Sequence, residues 1–233
     1  MPTASYQQRR LQVAEYFDRT AADVWSRLTS DAPVGRVRAT VRAGRDRMRQ
    51  TLLGWLPDDL RGVRLLDAGC GTGALAVAAA TRGASVVAID LSPTLINLAR
   101  QRVPPDLGPG RVEFHVGDML EISGGRYDHV VSMDSLIHYP RGDAVGVLAR
   151  LATQTAGTLL FTFAPRTPVL AIMHGIGRLF PCEDRAPAIE PVSEHTIRNL
   201  LAAEPRLRAW HPGRIARITN GFYVSQAMEL VPA

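Results

Sequence analysis

The sequence predicts an α/β protein built on a doubly wound, mainly parallel sheet, and three observations carry the prediction. From Val63 onward, short apolar runs alternate with helical patterns, as successive strand–helix–strand crossovers require. The runs Val130-Val131 and Leu159-Leu160-Phe161 do not alternate with polar residues, which marks strands buried on both faces of a parallel sheet. The segment Leu65-Leu66-Asp67-Ala68-Gly69-Cys70-Gly71-Thr72-Gly73 reads as a buried strand, an acidic residue and a glycine-rich turn entering a helix. The expected architecture is a Rossmann-like sheet with a closing antiparallel hairpin, an N-terminal helical arm and a helical lid insertion. Residues 1–233 form one domain, with 1–60 as the arm and 61–233 as the core carrying the insertion 164–191.

The arm reads as two helices ending at Pro57-Asp58-Asp59. Val13, Tyr16 and Phe17 give the first an apolar stripe. Val34, Val37, Val41, Met48, Leu52 and Trp55 recur at helical steps and share one face of the second. Gly44 falls on that seam, where a missing side chain permits close approach. Strand one spans Val63 to Asp67, and an Ala-rich helix spans Thr72 to Arg82. Strand two spans Ser85 to Asp90. Ser92 caps the next helix with Pro93 at its first position, and that helix ends before Pro104-Pro105. Strands three, four and five span Arg111 to Val116, Asp128 to Met133 and Thr158 to Phe163. Val169, Ile172, Met173, Ile176 and Phe180 keep helical spacing inside the insertion. A helix over Ser193 to Ala203 precedes two closing strands, Arg208 to Ile218 and Phe222 to Leu230, paired across Thr219-Asn220-Gly221.

Composition narrows the function classes. The chain is 46% hydrophobic and 21% charged, as ordinary soluble domains are. No stretch reaches the roughly 18 apolar residues of a membrane span, and Met1 to Gln12 lacks a signal core, so a cytoplasmic protein is expected. Cys70 and Cys182 match no metal spacing and are expected as thiols. The net charge is +5, and all 27 basic residues are Arg. Arg36, Arg38, Arg42, Arg45, Arg47 and Arg49 form a run opposed only by Asp46. A solvated helix face, an attraction for an anionic ligand or a peripheral membrane surface, and nucleic-acid binding all account for such a run. Nucleic-acid binding calls for stacking aromatics, and residues 36–49 contain none.

In an open parallel sheet the ligand sits beyond the carboxyl ends of the strands. Gly69, Gly71 and Gly73 follow strand one, let the backbone approach a ligand, and lead into a helix whose N–H groups suit a carboxylate. Asp90 ends strand two, where it can accept two ribose hydroxyls, with Leu91 beside it. Asp118 follows strand three, placed to accept from an adenine amino group, with Met119 against the ring. Met133 ends strand four and is counted with these cofactor contacts. Asp67 orients the turn, and Arg42 is the candidate partner of the cofactor carboxylate. The spacing G-C-G-T-G, in place of G-x-G-x-x-G, favours S-adenosylmethionine over a dinucleotide and argues against an NAD-dependent oxidoreductase.

These residues resemble the class I S-adenosylmethionine-dependent methyltransferases. Further segments narrow the resemblance: Glu15-Tyr16-Phe17-Asp18-Arg19-Thr20 with Trp25, Val41-Arg42-Ala43-Gly44-Arg45, Met133-Asp134-Ser135-Leu136-Ile137-His138-Tyr139-Pro140, Phe163-Ala164-Pro165-Arg166-Thr167, and Gly177 with Leu179, Phe180 and Pro181. Together they are similar, almost end to end, to the magnesium-protoporphyrin IX O-methyltransferases of (bacterio)chlorophyll biosynthesis. The resemblance implies methylation of a propionate carboxylate of magnesium protoporphyrin IX and handover of that substrate by the magnesium chelatase porphyrin-binding subunit. It also makes His138 and Tyr16 the candidate catalytic residues. Such a carboxylic acid, with a pKa of roughly 4 to 5, is already ionised at neutral pH and needs no general base. A dry site and an in-line approach at about 3 Å supply the rate, so the implied task of His138 and Tyr16 is to aim the carboxylate. Packing alone, His138 against Pro140 and Tyr16 in its helix, is the alternative at each. A flat apolar ring suits a lid bearing Leu170, Met173, Ile176 and Phe180, which a plain core helix would also explain. No metal site is assigned, since His174 stands alone. Another small-molecule acceptor, such as a quinol or an amine, remains the competing reading.

Overall fold

The computed structural model describes residues 2–20, 35–122, 125–166 and 188–233. Seven strands form one sheet in the order β3-β2-β1-β4-β5-β7-β6. They are β1 (Arg64–Ala68), β2 (Ser85–Asp90), β3 (Arg111–Val116), β4 (Tyr127–Ser132), β5 (Thr155–Phe163), β6 (Trp210–Asn220) and β7 (Tyr223–Pro232). The first five pair in parallel, and β7 enters between β5 and β6 antiparallel to both. The helices are α1 (Ala4–Glu15), α2 (Arg36–Gly54), α3 (Ala74–Thr81), α4 (Pro93–Gln101), α5 (Arg141–Ala152) and α6 (Glu194–Ala203).

Alternation along the strands builds two cores, one on each face of the sheet. Leu66 and Ala68 of β1 face α5 and α6, where Val147, Leu148, Leu151, Ile197 and Leu201 are buried. Leu65 faces the other way, toward α2, α3 and α4, with Met48, Leu52, Ala76, Ala79, Ile96 and Ala99. The central parallel strands β1, β2, β4 and the second half of β5 are covered on both sides, as the apolar runs predict, whereas the edge strand β3 is largely exposed. The helix starts follow local chemistry. Ser92 accepts from the Leu95 N–H ahead of Pro93, and Ser193 caps α6 in the same way. Helix α5 answers to no pattern noted in the sequence, because Gly142 and Gly146 dilute its helical signal.

Gly44 behaves as the seam predicts. Helix α2 crosses the β6–β7 hairpin so closely that a Cβ on Gly44 would lie 2.5 Å from Cδ1 of Tyr223. Val37 departs from its expected place and is 52% exposed. The hairpin tip at Gly221 reaches Thr40, and Val37 lies one turn beyond it, past the edge that buries Met48 and Leu52. Trp25, Val34, Cys182, His174 and the lid residues Val169 to Phe180 lie outside the described residues.

Replacing Gly44 with Val should lower stability by about 2 kcal/mol, because overpacking forces Tyr223 off its ledge. Urea unfolding of the purified protein measures this; an unchanged midpoint would show that α2 does not rest on the hairpin.

Candidate active site

The carboxyl ends of β1, β2 and β4 open onto a cavity of about 300 Å³ at the point where the strand order reverses. Its floor is the glycine turn. Gly69, Gly71 and Gly73 have φ of +83°, +55° and +77°, a region glycine enters without a Cβ penalty. Gly69 is further constrained, since a Cβ there would lie 2.3 Å from the Ser135 hydroxyl.

The end of β2 holds this turn in place. The Gly69 and Cys70 N–H groups donate to the Ile89 carbonyl at 2.8 and 3.0 Å. The Gly71 N–H donates to Asp90 Oδ2 at 2.8 Å, and the Ser92 N–H donates to Asp90 Oδ1 at 3.0 Å. The Ala76 N–H faces the carboxyl of Asp67 and favours its ionised form. Several amides expected to receive a ligand carboxylate are therefore committed to the protein itself. The cations of this wall come from α2, where Arg42, Arg45 and Arg49 line the cavity with Asp46. Their spacing puts them on one helix face. The arginine run thus divides, because Arg36, Arg38 and Arg47 are exposed.

Burial governs the acidic groups. Asp67 is 1% exposed, and burial followed by the nearby charge of Asp90 pushes its pKa up to about 7. Its Oδ2 has no hydrogen-bond partner among the described residues. Burial also raises Asp90, against the lowering effect of the Ser92 and Gly71 amides. The Cys70 thiol is pushed up by the same burial, then by Asp67 and Asp90.

The arm closes one side. After α1 the chain makes a π-helical turn over Tyr16–Thr20. Val13 and Phe17 reach the cavity, and the Phe17 ring meets His138 edge-on at 5.6 Å. The Asp18 carboxylate accepts from the Thr94 hydroxyl at 2.7 Å and the Thr94 N–H at 3.2 Å, at the start of α4. Further along, Tyr6 stacks on Tyr139 at 4.9 Å and donates its hydroxyl to Asp118 at 2.7 Å.

Of the residues singled out from sequence, Arg42, Asp67, Gly69, Gly71, Asp90, Leu91, Met119, Met133 and His138 all line this cavity. Asp118 and Tyr16 are not among the described lining residues. Asp118 is buried behind the wall, where Tyr6, Arg10 and the Leu120 N–H occupy its carboxylate. Phe17 lines the cavity at this turn, and the Tyr16 ring meets the Phe17 ring edge-on at 5.1 Å. Sequence reading missed Phe17, Asp134 and the cavity role of Arg45 and Arg49. The helical spacing of Arg42, Arg45 and Arg49 was a usable signal for the last two; nothing local announces Asp134.

Comparison with known proteins identifies the family and the fold. A family model described as magnesium-protoporphyrin IX methyltransferase C-terminus matches residues 132–232, and a methyltransferase-domain model matches residues 65–156. The chain is 46% identical to a magnesium-protoporphyrin O-methyltransferase of Rhodobacter capsulatus, covering 100% of both chains. It is 34% identical to the chloroplastic magnesium protoporphyrin IX methyltransferase of Arabidopsis thaliana, over 94% of this chain and 70% of that one. Its fold is similar to the crystal structure of magnesium protoporphyrin IX methyltransferase from Synechocystis PCC 6803 with bound SAH, with a TM-score of 0.83 and 31% identity over 95% and 98% of the two chains.

Asp67 gives a pH signature. Its carboxyl rises from an ordinary 3.8 to about 7 on folding, so folding takes up a proton between those values and stability falls as pH rises across them. Below that window both states are protonated and the penalty is absent; above it the penalty is complete. Asp67→Asn should therefore gain on the wild type by up to about 4 kcal/mol between pH 4 and 7 in urea titrations, then hold level. A gap that stays constant across this range would contradict the assignment.

Proposed function

The chain belongs to the magnesium-protoporphyrin O-methyltransferase family, and on that premise we propose how its cavity transfers a methyl group from S-adenosylmethionine to a propionate carboxylate of magnesium protoporphyrin IX. The product is the monomethyl ester of (bacterio)chlorophyll biosynthesis. One observation carries the reading: the glycine turn, Asp90 and His138 open onto a single cavity, so a donor seated on the turn meets an acceptor held at His138.

The residues present fit the donor. The unsatisfied Asp67 oxygen suits its positively charged end, and Arg42 suits its carboxylate. A carboxylate offers about four acceptor positions, so Asp90 can take ribose hydroxyls beyond its bonds to Gly71 and Ser92. Leu91, Met119 and Met133 supply apolar wall. When bound, S-adenosylmethionine supplies an electrophilic methyl group on a sulfonium.

The protein's own part is placement. The acceptor carboxylate is ionised at neutral pH, so no side chain has to remove a proton. His138 hydrogen-bonds and aims it, and Tyr16 supports this from behind Phe17. Val13 and Phe17 exclude water, which strengthens attraction between the anionic acceptor and the cationic donor. Asp118 acts on the adenine side indirectly, by fixing the arm through Tyr6 and Arg10. Within one domain, the arm residues Val13 and Phe17 cover the substrate side of the cavity. The exposed Arg36, Arg38 and Arg47 give a cytoplasmic protein a peripheral hold on an anionic membrane. Among the described residues no helix is long and apolar enough to cross one. The magnesium chelatase porphyrin-binding subunit hands over the substrate.

Incubation with labelled S-adenosylmethionine and magnesium protoporphyrin should yield the monomethyl ester. His138→Ala should cut turnover by about 100-fold through lost orientation while leaving cofactor affinity nearly intact. No ester from a protein that binds the cofactor well would move the acceptor to another small molecule, and wild-type turnover in the variant would remove His138 from its role.

A further inference from the structure

Asp134, in the turn that follows β4, adopts a conformation that methyl transfer as described does not explain. Among the described residues it is the sole non-glycine residue with positive φ, at 53°. Such a backbone persists where its surroundings over-determine it. Here the surroundings come from three parts of the chain. The Tyr223 hydroxyl lies 3.0 and 3.1 Å from the two carboxylate oxygens, and the Ser225 hydroxyl donates to Oδ1 at 3.1 Å. From β5, the Thr162 hydroxyl accepts from the Asp134 N–H at 2.7 Å. From α2, Arg45 Nη1 reaches Oδ2 at 2.8 Å, with the Asp134 side chain only 5% exposed.

Two members of this cluster, Arg45 and Asp134, line the cavity, whereas Tyr223 stands behind them. Tyr223 also presses against Gly44, the residue before Arg45. On its other side Asp134 precedes Ser135, which packs on Gly69, and the short helical turn Leu136–His138. We propose that Tyr223 is a positioning residue for methyl transfer: its hydroxyl holds Asp134, which sets the Arg45 cation at the cavity wall and the turn that carries His138. A hydroxyl needed only to anchor the hairpin would be served by any acceptor. This one is given to a carboxylate shared with a cavity cation, at a strained rim position. The inference rests on the reading of this cavity as the place of reaction.

Tyr223→Phe keeps the ring over Gly44 and removes only the hydroxyl. Its kcat for magnesium protoporphyrin should fall about tenfold, with KM for the cofactor little changed and the enzyme still folded at the assay temperature. Ser225→Ala, which removes a different donor to the same carboxylate, should lower kcat in the same direction. The double variant Tyr223→Phe/Asp134→Asn should be no slower than Asp134→Asn alone, since both act through one group. Wild-type kcat in Tyr223→Phe, multiplying effects in the double variant, or losses that merely follow melting temperature would each overturn the inference. A wild-type enzyme that forms ester beside a fully active Tyr223→Phe overturns this inference alone; a wild type that forms none overturns the functional reading.

Discussion

The carboxylate of Asp90 is the constraint on which the site depends. One oxygen receives the Gly71 N–H and the other the Ser92 N–H, so a single side chain joins the turn after β1 to the start of α4. The Ile89 carbonyl beside it receives two more amides of the same turn. These bonds fix the mouth between neighbouring strands, and the arm then uses that fixed point, because Asp18 docks on Thr94 two residues after Ser92. Burial opposes the charge on Asp90, and the amides that converge on it favour the ion. The site is thus organised around a carboxylate held under strain between desolvation and hydrogen bonding.

Chemistry of this kind makes modest demands on side-chain reactivity and large ones on placement. An ionised acceptor carboxylate needs no base, so the protein contributes orientation and dryness. The arrangement matches that division. The strand ends supply a rigid floor, α2 supplies cations on one helix face, and the arm supplies Val13 and Phe17 as apolar cover beside His138. The glycine turn, whose spacing favours S-adenosylmethionine over a dinucleotide, commits its Gly69, Cys70 and Gly71 amides to Ile89 and Asp90. The cations at the cavity wall, Arg42, Arg45 and Arg49, come instead from α2.

What the sequence revealed was local. The strands followed from apolar runs, although their ends are displaced, as where β5 begins at Thr155 and not Thr158; the start of α4 followed from Ser92-Pro93, and the close approach at Gly44 from its place on an apolar seam. Nine predicted cofactor or catalytic positions share one cavity: eight lie at or after strand ends, which converge in this topology, and the ninth, Arg42, comes from α2. The rest depended on pairs far apart in the chain. Tyr6 with Asp118 and Tyr223 with Asp134 join residues 112 and 89 positions apart, which no periodicity encodes. The choice between Tyr16 and Phe17 turned on a π-helical turn, and Val37 on where the hairpin ends beneath α2. Helix α5 was hidden by its own glycines.

Calorimetric titration of S-adenosylhomocysteine into the wild type and Asp90→Asn tests the central claim most directly. An asparagine keeps the shape but places one amide nitrogen where a carboxylate oxygen now accepts an N–H. The clasp and the ribose contact should both weaken, lowering affinity by roughly 30-fold or more, as expected for lost hydrogen bonds to a charged group. Wild-type affinity in the variant would contradict a cofactor site organised by Asp90.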